Sequence, residues 1–149
     1  PAACLALGAT FRAVGPAGER TIEAGDFFQG FLETALRPDE ILTEISVPKV
    51  TGAGWSFQKF NRRAQDWAIV GVAAVRGDHT GIGLVNMGPV PVRAAAAEEA
   101  LAGGASDAEA AARAADGLEP PDDLNASADY RRHLAHVLVR RALEEASAA

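Results

Sequence analysis

The stretch 55–75 contains two apolar, strand-like segments separated by a polar and cationic turn. Aromatic residues recur through 55–60, the turn occupies 61–66, and a largely β-branched apolar run fills 69–75. This pattern predicts an antiparallel hairpin with charged residues at its tip. Because functional residues are often placed on a solvated loop that a rigid sheet supports, the tip is a candidate functional site. The alternative is a hairpin whose charges only keep its tip in solvent.

The hairpin continues into a longer antiparallel sheet. An apolar segment over 81–87 follows the strand predicted at 68–76, and the turn residues between them, G-D-H-T, suit a second hairpin. The sequence therefore predicts a three-stranded meander. Helical spacing follows after residue 91. Three helices are predicted, at 93–101, at 107–115 and from Ser127 or Asp129 to about Ala146.

The last predicted helix has an apolar stripe and a polar face. The stripe consists of Tyr130, Leu134, Val137, Leu138, Arg141 and Ala142. The face predicted to lie in solvent carries Arg131, Arg132, Arg140, Glu144 and Glu145.

The first third of the chain predicts a smaller sheet with one helix. Strands are expected at 9–14 and 20–23, joined by a turn that contains glycine and proline. Asp26 is a suitable N-cap for a helix over 27–36, which Pro38 would end. Alternation over 41–47 predicts a half-buried strand, and 49–54 is expected to be a linker. Strands first and helices last indicate an α+β fold.

Composition excludes several classes of function. The 149 residues are 48% apolar and 23% charged, which is typical of a globular domain. The net charge of −6 argues against nucleic acid or an anionic membrane as the main partner. No apolar run reaches the roughly 18 residues that a membrane span requires. The single cysteine, Cys4, cannot form an internal disulfide and is either a small core residue or a reactive thiol.

The order of residues in the hairpin, K-F-N-R-R-A-Q-D-W-A-I-V-G-V-A, resembles a known family. This is the flavoprotein (medium) subunit of the molybdenum hydroxylases, which include carbon monoxide dehydrogenase and xanthine dehydrogenase. Flanking segments agree with it in the family's order, at 1–11, 25–48, 88–94 and 126–143.

The resemblance implies a domain organisation and a complex. Residues 1–48 would be the C-terminal part of an FAD-binding domain, 49–54 a linker, and 55–149 the flavoprotein C-terminal domain. Its partners would be a large molybdenum-binding subunit and a small subunit with 2Fe–2S clusters. The complex would be cytoplasmic, and the resemblance allows a homodimer of heterotrimers. Electrons would pass from the clusters through FAD to an acceptor.

The family's first half carries two glycine-rich segments that hold the FAD pyrophosphate, because backbone N–H groups approach phosphate closely there. No such segment occurs in this chain, and the family's flavin-binding Asp would fall upstream of Pro1. We therefore expect the C-terminal half of a subunit that is inactive by itself. The rival hypothesis is a stand-alone binding or assembly module with the same fold and no flavin.

Two residues are expected to contact the flavin because they match the family pattern. Lys59 matches a family lysine, and a cation beside the ring would stabilise the negative charge that develops on reduction. Leu42, in the P-D-E-I-L segment, matches a leucine that packs on the ring. The alternatives are a surface strand lysine and an ordinary core leucine.

Asp66 and Trp67 match the family's loop beside the flavin, where they are thought to shape access for the acceptor. The family's dehydrogenase form of this loop is more acidic than Ala64-Gln65-Asp66, and this departure counts against NAD binding. Arg62 and Arg63 would favour an anionic acceptor, pair with acids of a partner subunit, or simply solvate the hairpin tip.

Other signals are weaker. The segment G-I-G-L-V-N at 81–86 approaches a dinucleotide fingerprint, but Asn86 replaces its third glycine and no helix follows at once, so a strand is predicted. His133 and His136 are spaced by three on the last helix, but two ligands do not make a metal site, and ordinary helix residues are expected. No catalytic triad is recognisable.

Overall fold

The computed structural model describes residues 1–147; residues 148 and 149, the end of the predicted domain 55–149, lie outside this part. Its helices are α1 Ala2–Leu7, α2 Ala24–Phe27, α3 Ala95–Ala102, α4 Asp107–Ala112 and α5 Ala128–Ser147. Its strands are β1 Thr10–Gly15, β2 Gly18–Glu23, β3 Phe28–Gly30, β4 Glu33–Thr34, β5 Ile41–Ser46, β6 Gly54–Phe60, β7 Val70–Arg76, β8 Thr80–Val85 and β9 Val92–Arg93. Antiparallel sheets followed by a helical C-terminal region confirm the predicted α+β fold.

The first sheet has the strand order β2-β1-β5, and both of its strand pairs are antiparallel. An aromatic cluster covers one face. The rings of Phe11 and Phe27 stack with centroids 4.0 Å apart, and Phe28 meets Phe11 edge-on at 5.9 Å. Such arrangements are favourable aromatic contacts. The strands predicted at 9–14, 20–23 and 41–47 are therefore confirmed.

The helix predicted at 27–36 is wrong. Helix α2 ends at Phe27, and the chain then forms the small hairpin β3–β4. Gly30 disfavours a helix interior, and Leu32 has a left-handed φ of 59° that no helix contains. The hairpin keeps Phe27 in the aromatic cluster and leaves Leu32 85% exposed, whereas a helix would have placed both on one apolar stripe.

Strand β5 forms as predicted but is more exposed than its alternation suggests. Ile41 and Ile45 are 71% and 50% exposed, and only Leu42 is partly buried. The strand is at the edge of the first sheet, and a register shift opposite Arg12 and Ala13 interrupts the alternation. A bulge of this kind turns neighbouring side chains to different faces.

The second sheet has four strands in the order β6-β7-β8-β9, one more than the predicted meander. The extra strand, β9, contains only two residues. Helix α5 covers one face of the sheet, and α3 and α4 pack beside it. The largest core cluster lies in this layer and includes Val70, Val72, Ile82, Leu84, Leu134, Ala135, Leu138, Val139, Ala142 and Leu143. The three helices predicted after residue 91 are thus confirmed, with α4 shorter than expected.

Helix α1, which the sequence analysis did not predict, covers the other face of β7 and β8. Its Ala2 and Ala6 pack on Ala73 and Val75. Two glycines of β8 allow this approach: a Cβ atom on Gly81 would lie 1.9 Å from the Ala6 carbonyl oxygen, and one on Gly83 would lie 2.1 Å from that of Ala2. The glycines of the near-fingerprint therefore serve helix packing, and the predicted strand is confirmed.

The outward position predicted for Arg131 is also wrong, because its side chain is only 2% exposed. Tyr130 and Arg141, which the predicted stripe placed in the core, are exposed instead. Arg131 shares the helical face of Leu134 and Leu138, and three hydrogen-bond acceptors compensate the burial of its charge. No helix in the described part of the chain is long and apolar enough to cross a membrane.

Candidate functional site

The candidate site is built on the hairpin of β6 and β7 and on the loop 61–69 that joins them. The Ile69 N–H donates to the Phe60 carbonyl oxygen at 2.7 Å, which closes the base of the loop. Opposite residues in an antiparallel pair share a face of the sheet, and Lys59 is opposite Gly71. Lys59 therefore lies on the strand that leads directly into the loop.

The two faces of β6 have different surroundings. Ser56 and Gln58 face α5, and both donate to Glu145, at 2.6 Å and 2.7 Å. The opposite face carries Trp55 and Phe57 beside Lys59. Trp55 and Phe57 are opposite Val75 and Ala73 of β7, on which α1 packs. Helix α1 covers β7 and β8 but does not reach β6. Trp55 and Phe57 therefore remain 68% and 55% exposed. An uncovered apolar row of this kind marks an interaction surface.

Lys59 is exposed at the end of this row. Within residues 1–147, no carboxylate forms an ion pair with its ammonium group. The positive charge is therefore not neutralised locally. The structure thus places an unpaired cation next to an uncovered apolar surface.

Asp66 and Trp67 lie next to each other in the second half of the loop. They line a cleft of about 470 Å³ that also includes Phe31 from the β3–β4 hairpin and the arginines at 62 and 63. Trp67 and Phe31 are both 77% exposed. The indole and phenyl surfaces provide an open apolar wall beside cationic side chains.

The structure does not bring Leu42 into this cleft. Leu42 is opposite Ala13 in the first sheet and packs, half-buried, against the cluster that contains Phe11. Asp66 and Trp67 are thus adjacent, Lys59 lies on the strand that precedes them, and Leu42 is on the neighbouring sheet.

The charges around the cleft are only partly compensated. Arg62 donates to the neutral Asn125 amide oxygen at 2.8 Å, so its charge remains. Asp123 accepts from Arg131 at 2.8 Å. The pKa of Asp123 is lowered, first by the hydrogen bond from the Asn125 backbone N–H and further by Arg131. At neutral pH the carboxylate is ionised and holds the segment 121–126 next to the loop.

Sequence reasoning missed Phe31, Asn86 and Arg131 as residues of this region. Phe31 was assigned to a helix that does not form. Arg131 recurs at helical spacing with buried Leu134, Ala135 and Leu138, and this spacing was the available signal for its burial. Asn86 ends β8 with a φ of 60°, a conformation that asparagine tolerates better than most residues.

No group of three or more His, Cys, Asp or Glu side chains within the described residues is arranged to hold a metal ion. His136 is partly buried on α5, and desolvation lowers its pKa, with nearby His133 acting in the same direction.

Comparison with known proteins decides the family. A sequence model of the CO dehydrogenase flavoprotein C-terminal domain matches residues 55–146. The chain belongs to this family. A second model, the FAD binding domain in molybdopterin dehydrogenase, matches residues 1–50. The resemblance found in the hairpin sequence is therefore confirmed.

Individual relatives agree with this assignment. The carbon monoxide dehydrogenase medium chains of Hydrogenophaga pseudoflava and Afipia carboxidovorans are 38% and 36% identical to the chain over 98% and 99% of its length. The chain spans 55% of each of these relatives. The structure superimposes on one chain of the solved carbon monoxide dehydrogenase from Hydrogenophaga pseudoflava with a TM-score of 0.90 and 42% sequence identity. The match covers 99% of the present chain and 55% of the Hydrogenophaga chain.

Proposed function

We propose that the chain is part of the FAD-carrying subunit of a molybdenum hydroxylase complex. In this proposal residues 1–48 belong to the FAD-binding domain, 49–54 connect the two parts, and 55–149 form the flavoprotein C-terminal domain. The partners are a large subunit with the molybdenum cofactor and a small subunit with 2Fe–2S clusters. The complex is cytoplasmic, and a homodimer of heterotrimers is the arrangement that the resemblance allows. FAD, when bound, accepts electrons from the clusters and delivers them to an acceptor.

The unpaired ammonium group of Lys59, at the end of an uncovered aromatic row, is the observation that carries this proposal. A surface lysine on a strand often has a carboxylate neighbour, but here the neighbours are Phe57 and the glycine opposite. This combination suits a flat, apolar ring system that becomes more negative on reduction. The residues present therefore fit a flavin ring.

Each residue of the proposed site has a separate role. Lys59 holds a positive charge close to the ring and favours its reduced form. Leu42 offers an apolar contact that does not titrate. Trp67 and Asp66 shape the approach of the acceptor from the solvent side of the loop. None of these residues binds the pyrophosphate, for which backbone N–H groups of a glycine-rich loop are the suitable partner.

The proposal predicts that residues 1–149 alone bind FAD weakly or not at all and are catalytically inactive. An equilibrium titration of the purified chain with FAD, followed by flavin fluorescence, measures this. Tight binding by the chain alone would contradict the proposed division of the flavin site.

Purification of the protein from its native source tests the complex. We expect co-purification with a molybdenum-containing subunit and an iron–sulfur subunit, together with FAD. The rival stand-alone module predicts a protein without either subunit and without flavin. The encoding DNA offers a second test, because an upstream reading frame with two glycine-rich phosphate loops supports the flavoprotein and a genuine start near Pro1 supports the module.

A further inference from the structure

The loop 61–68, which carries Trp67, is held at its base by two side chains from other parts of the fold. These side chains are Asn86 at the end of β8 and Arg131 near the start of α5. Their acceptors are two successive backbone carbonyls, those of Ala68 and Ile69. Trp67 directly precedes Ala68 in the chain. The two hydrogen bonds therefore fix the backbone next to the residue that carries the indole.

Arg131 is suited to this role because it reaches three acceptors at once. Its Nη1 donates to the Ile69 carbonyl oxygen, its Nε donates to the Pro121 carbonyl oxygen at 3.0 Å, and its Nη2 donates to the Asp123 carboxylate at 2.8 Å. The side chain is 2% exposed. A guanidinium group presents several N–H donors in a rigid plane, which the single ammonium of a lysine cannot reproduce.

Asn86 provides a second, independent anchor. Its Nδ2 donates to the Ala68 carbonyl oxygen. The backbone of Asn86 has a φ of 60°, which lies in the left-handed region and orients the side chain back toward the loop. Asparagine combines tolerance of this conformation with an amide donor, whereas glycine tolerates the conformation but has no donor.

The segment 121–126, which Arg131 holds, also contacts the start of the loop. Asn125 accepts from Arg62 at 2.8 Å, and Asn125 is itself fixed by the Asp123 carboxylate through its backbone N–H at 2.8 Å. The same arginine on α5 therefore supports the end of the loop directly and its start through Asp123 and Asn125.

We propose that Arg131 and Asn86 are positioning residues that fix Trp67 and thereby set the acceptor side of the flavin site. The part that concerns the flavin rests on the proposed function. The part that concerns the loop does not, because it requires only the chain itself. Neither residue touches the cofactor in this proposal, and both act through the backbone of the loop.

The mobility of the Trp67 side chain tests the first part. The chain has two tryptophans, so Trp55→Phe leaves Trp67 as its single tryptophan. In that background, time-resolved fluorescence anisotropy measures how freely the indole reorients. Asn86→Gly removes the amide donor and retains a residue that accepts the left-handed backbone. Arg131→Met removes the cation and its donors and keeps an unbranched apolar side chain. Arg140→Met is the matched control, since Arg140 is on the same helix and, among residues 1–147, pairs only with Glu144 at the surface.

We expect Asn86→Gly and Arg131→Met to lower the residual anisotropy of Trp67, while Arg140→Met leaves it unchanged. Circular dichroism and a cooperative urea transition identify variants that fold. If Arg131→Met does not fold, Asn86→Gly decides alone. A folded Asn86→Gly variant with the anisotropy of the parent would overturn the positioning role.

A flavin-loaded protein tests the second part. The upstream half of the Hydrogenophaga medium chain, fused to this chain, supplies the region that the chain does not match. We expect Asn86→Gly to shift the flavin absorption spectrum of this chimaera and Arg140→Met to leave it unchanged. An unchanged spectrum in a variant whose Trp67 has become mobile would overturn the link to the flavin, and the anchoring of the loop would still stand.

Discussion

The two larger sheets of this protein differ in how their apolar strands are covered. In the second sheet, β7 and β8 are covered by α5 on one face and by α1 on the other, and Val72, Ile82 and Leu84 are 0% exposed. In the first sheet, the aromatic cluster covers one face, whereas Ile41 on the edge strand is 71% exposed. The edge strand of the second sheet, β6, resembles β5 in this respect, since its outer aromatic row is uncovered.

The comparison separates residues that stabilise this chain from residues that are available for other contacts. Apolar side chains contribute to stability only where a second layer removes them from water. Large exposed apolar residues grouped on one surface are typical of interfaces and ligand sites. The exposed side chains of β5 and β6 therefore belong to the proposed flavin and subunit surfaces, and β7 and β8 form the rigid support.

The largest expected effect comes from a change in the covered sheet. Leu84→Ala should lower the free energy of unfolding by about 2–5 kcal/mol, because it removes a fully buried side chain and leaves a cavity. Ile41→Thr, which keeps a β-branched residue on the exposed strand, should change it by less than about 0.5 kcal/mol. Urea denaturation of both variants measures the difference. Equal losses of unfolding free energy in the two variants would show that β5 is buried in solution. That result would contradict the difference between the two sheets.

The next largest change in the free energy of unfolding is expected where α1 packs closely on β8. Gly83→Ala places a methyl group where the Ala2 carbonyl oxygen lies 2.1 Å away, so α1 must shift, at an expected cost of about 1–3 kcal/mol. Gly25→Ala is the control, because a Cβ atom there meets nothing within 4 Å. The same urea transitions report both values. A Gly83→Ala variant as stable as Gly25→Ala would mean that α1 does not rest on the sheet.

The largest acid-dependent effect is expected beside the first sheet. Arg20 donates two hydrogen bonds of 2.8 Å to Glu40, and they are the main cause that lowers the pKa of this carboxyl group from 4.5 to about 2. Because the folded pKa is depressed, the stabilisation is present above pH 4.5 and is lost as the pH falls toward 2. We expect Glu40→Gln to remove this part of the pH dependence of the urea midpoint. Parallel curves for parent and variant across that interval would contradict the role of Glu40.

How much of this could be predicted from the sequence depended on whether local pattern and tertiary packing agreed. They agree in β7, in β8 and at Leu134, Leu138 and Ala142 of α5, where apolar periodicity matches the core. They disagree at 27–36, because helical spacing of phenylalanines cannot show that Phe27 stacks on Phe11 and that Phe31 and Leu32 form a turn. Burial of Arg131 depended on carbonyl acceptors from distant segments. The packing of α1 depended on glycines of β8, about 80 residues away in the chain. Considered alone, these glycines resemble a phosphate-binding motif.

For the candidate site, the sequence predicted the hairpin, its charged tip and the family. It could not show that Lys59 has no ion-pair partner among the described residues or that Trp67 faces a cleft with Phe31, because both depend on which elements cover β6 and which do not. The roles of Lys59, Leu42, Asp66 and Trp67 beside a flavin stay predictions.

The midpoint potential of the bound flavin tests the central claim, that the uncovered face of β6 flanks the flavin ring, most directly. In the flavin-loaded chimaera, Lys59→Met should lower the two-electron potential by about 20–40 mV, the equivalent of about 1–2 kcal/mol of lost stabilisation of the reduced ring. Lys49→Met, a change of the other lysine of the chain, is the matched control and should leave the potential unchanged. Equal potentials in the two variants would contradict the claim.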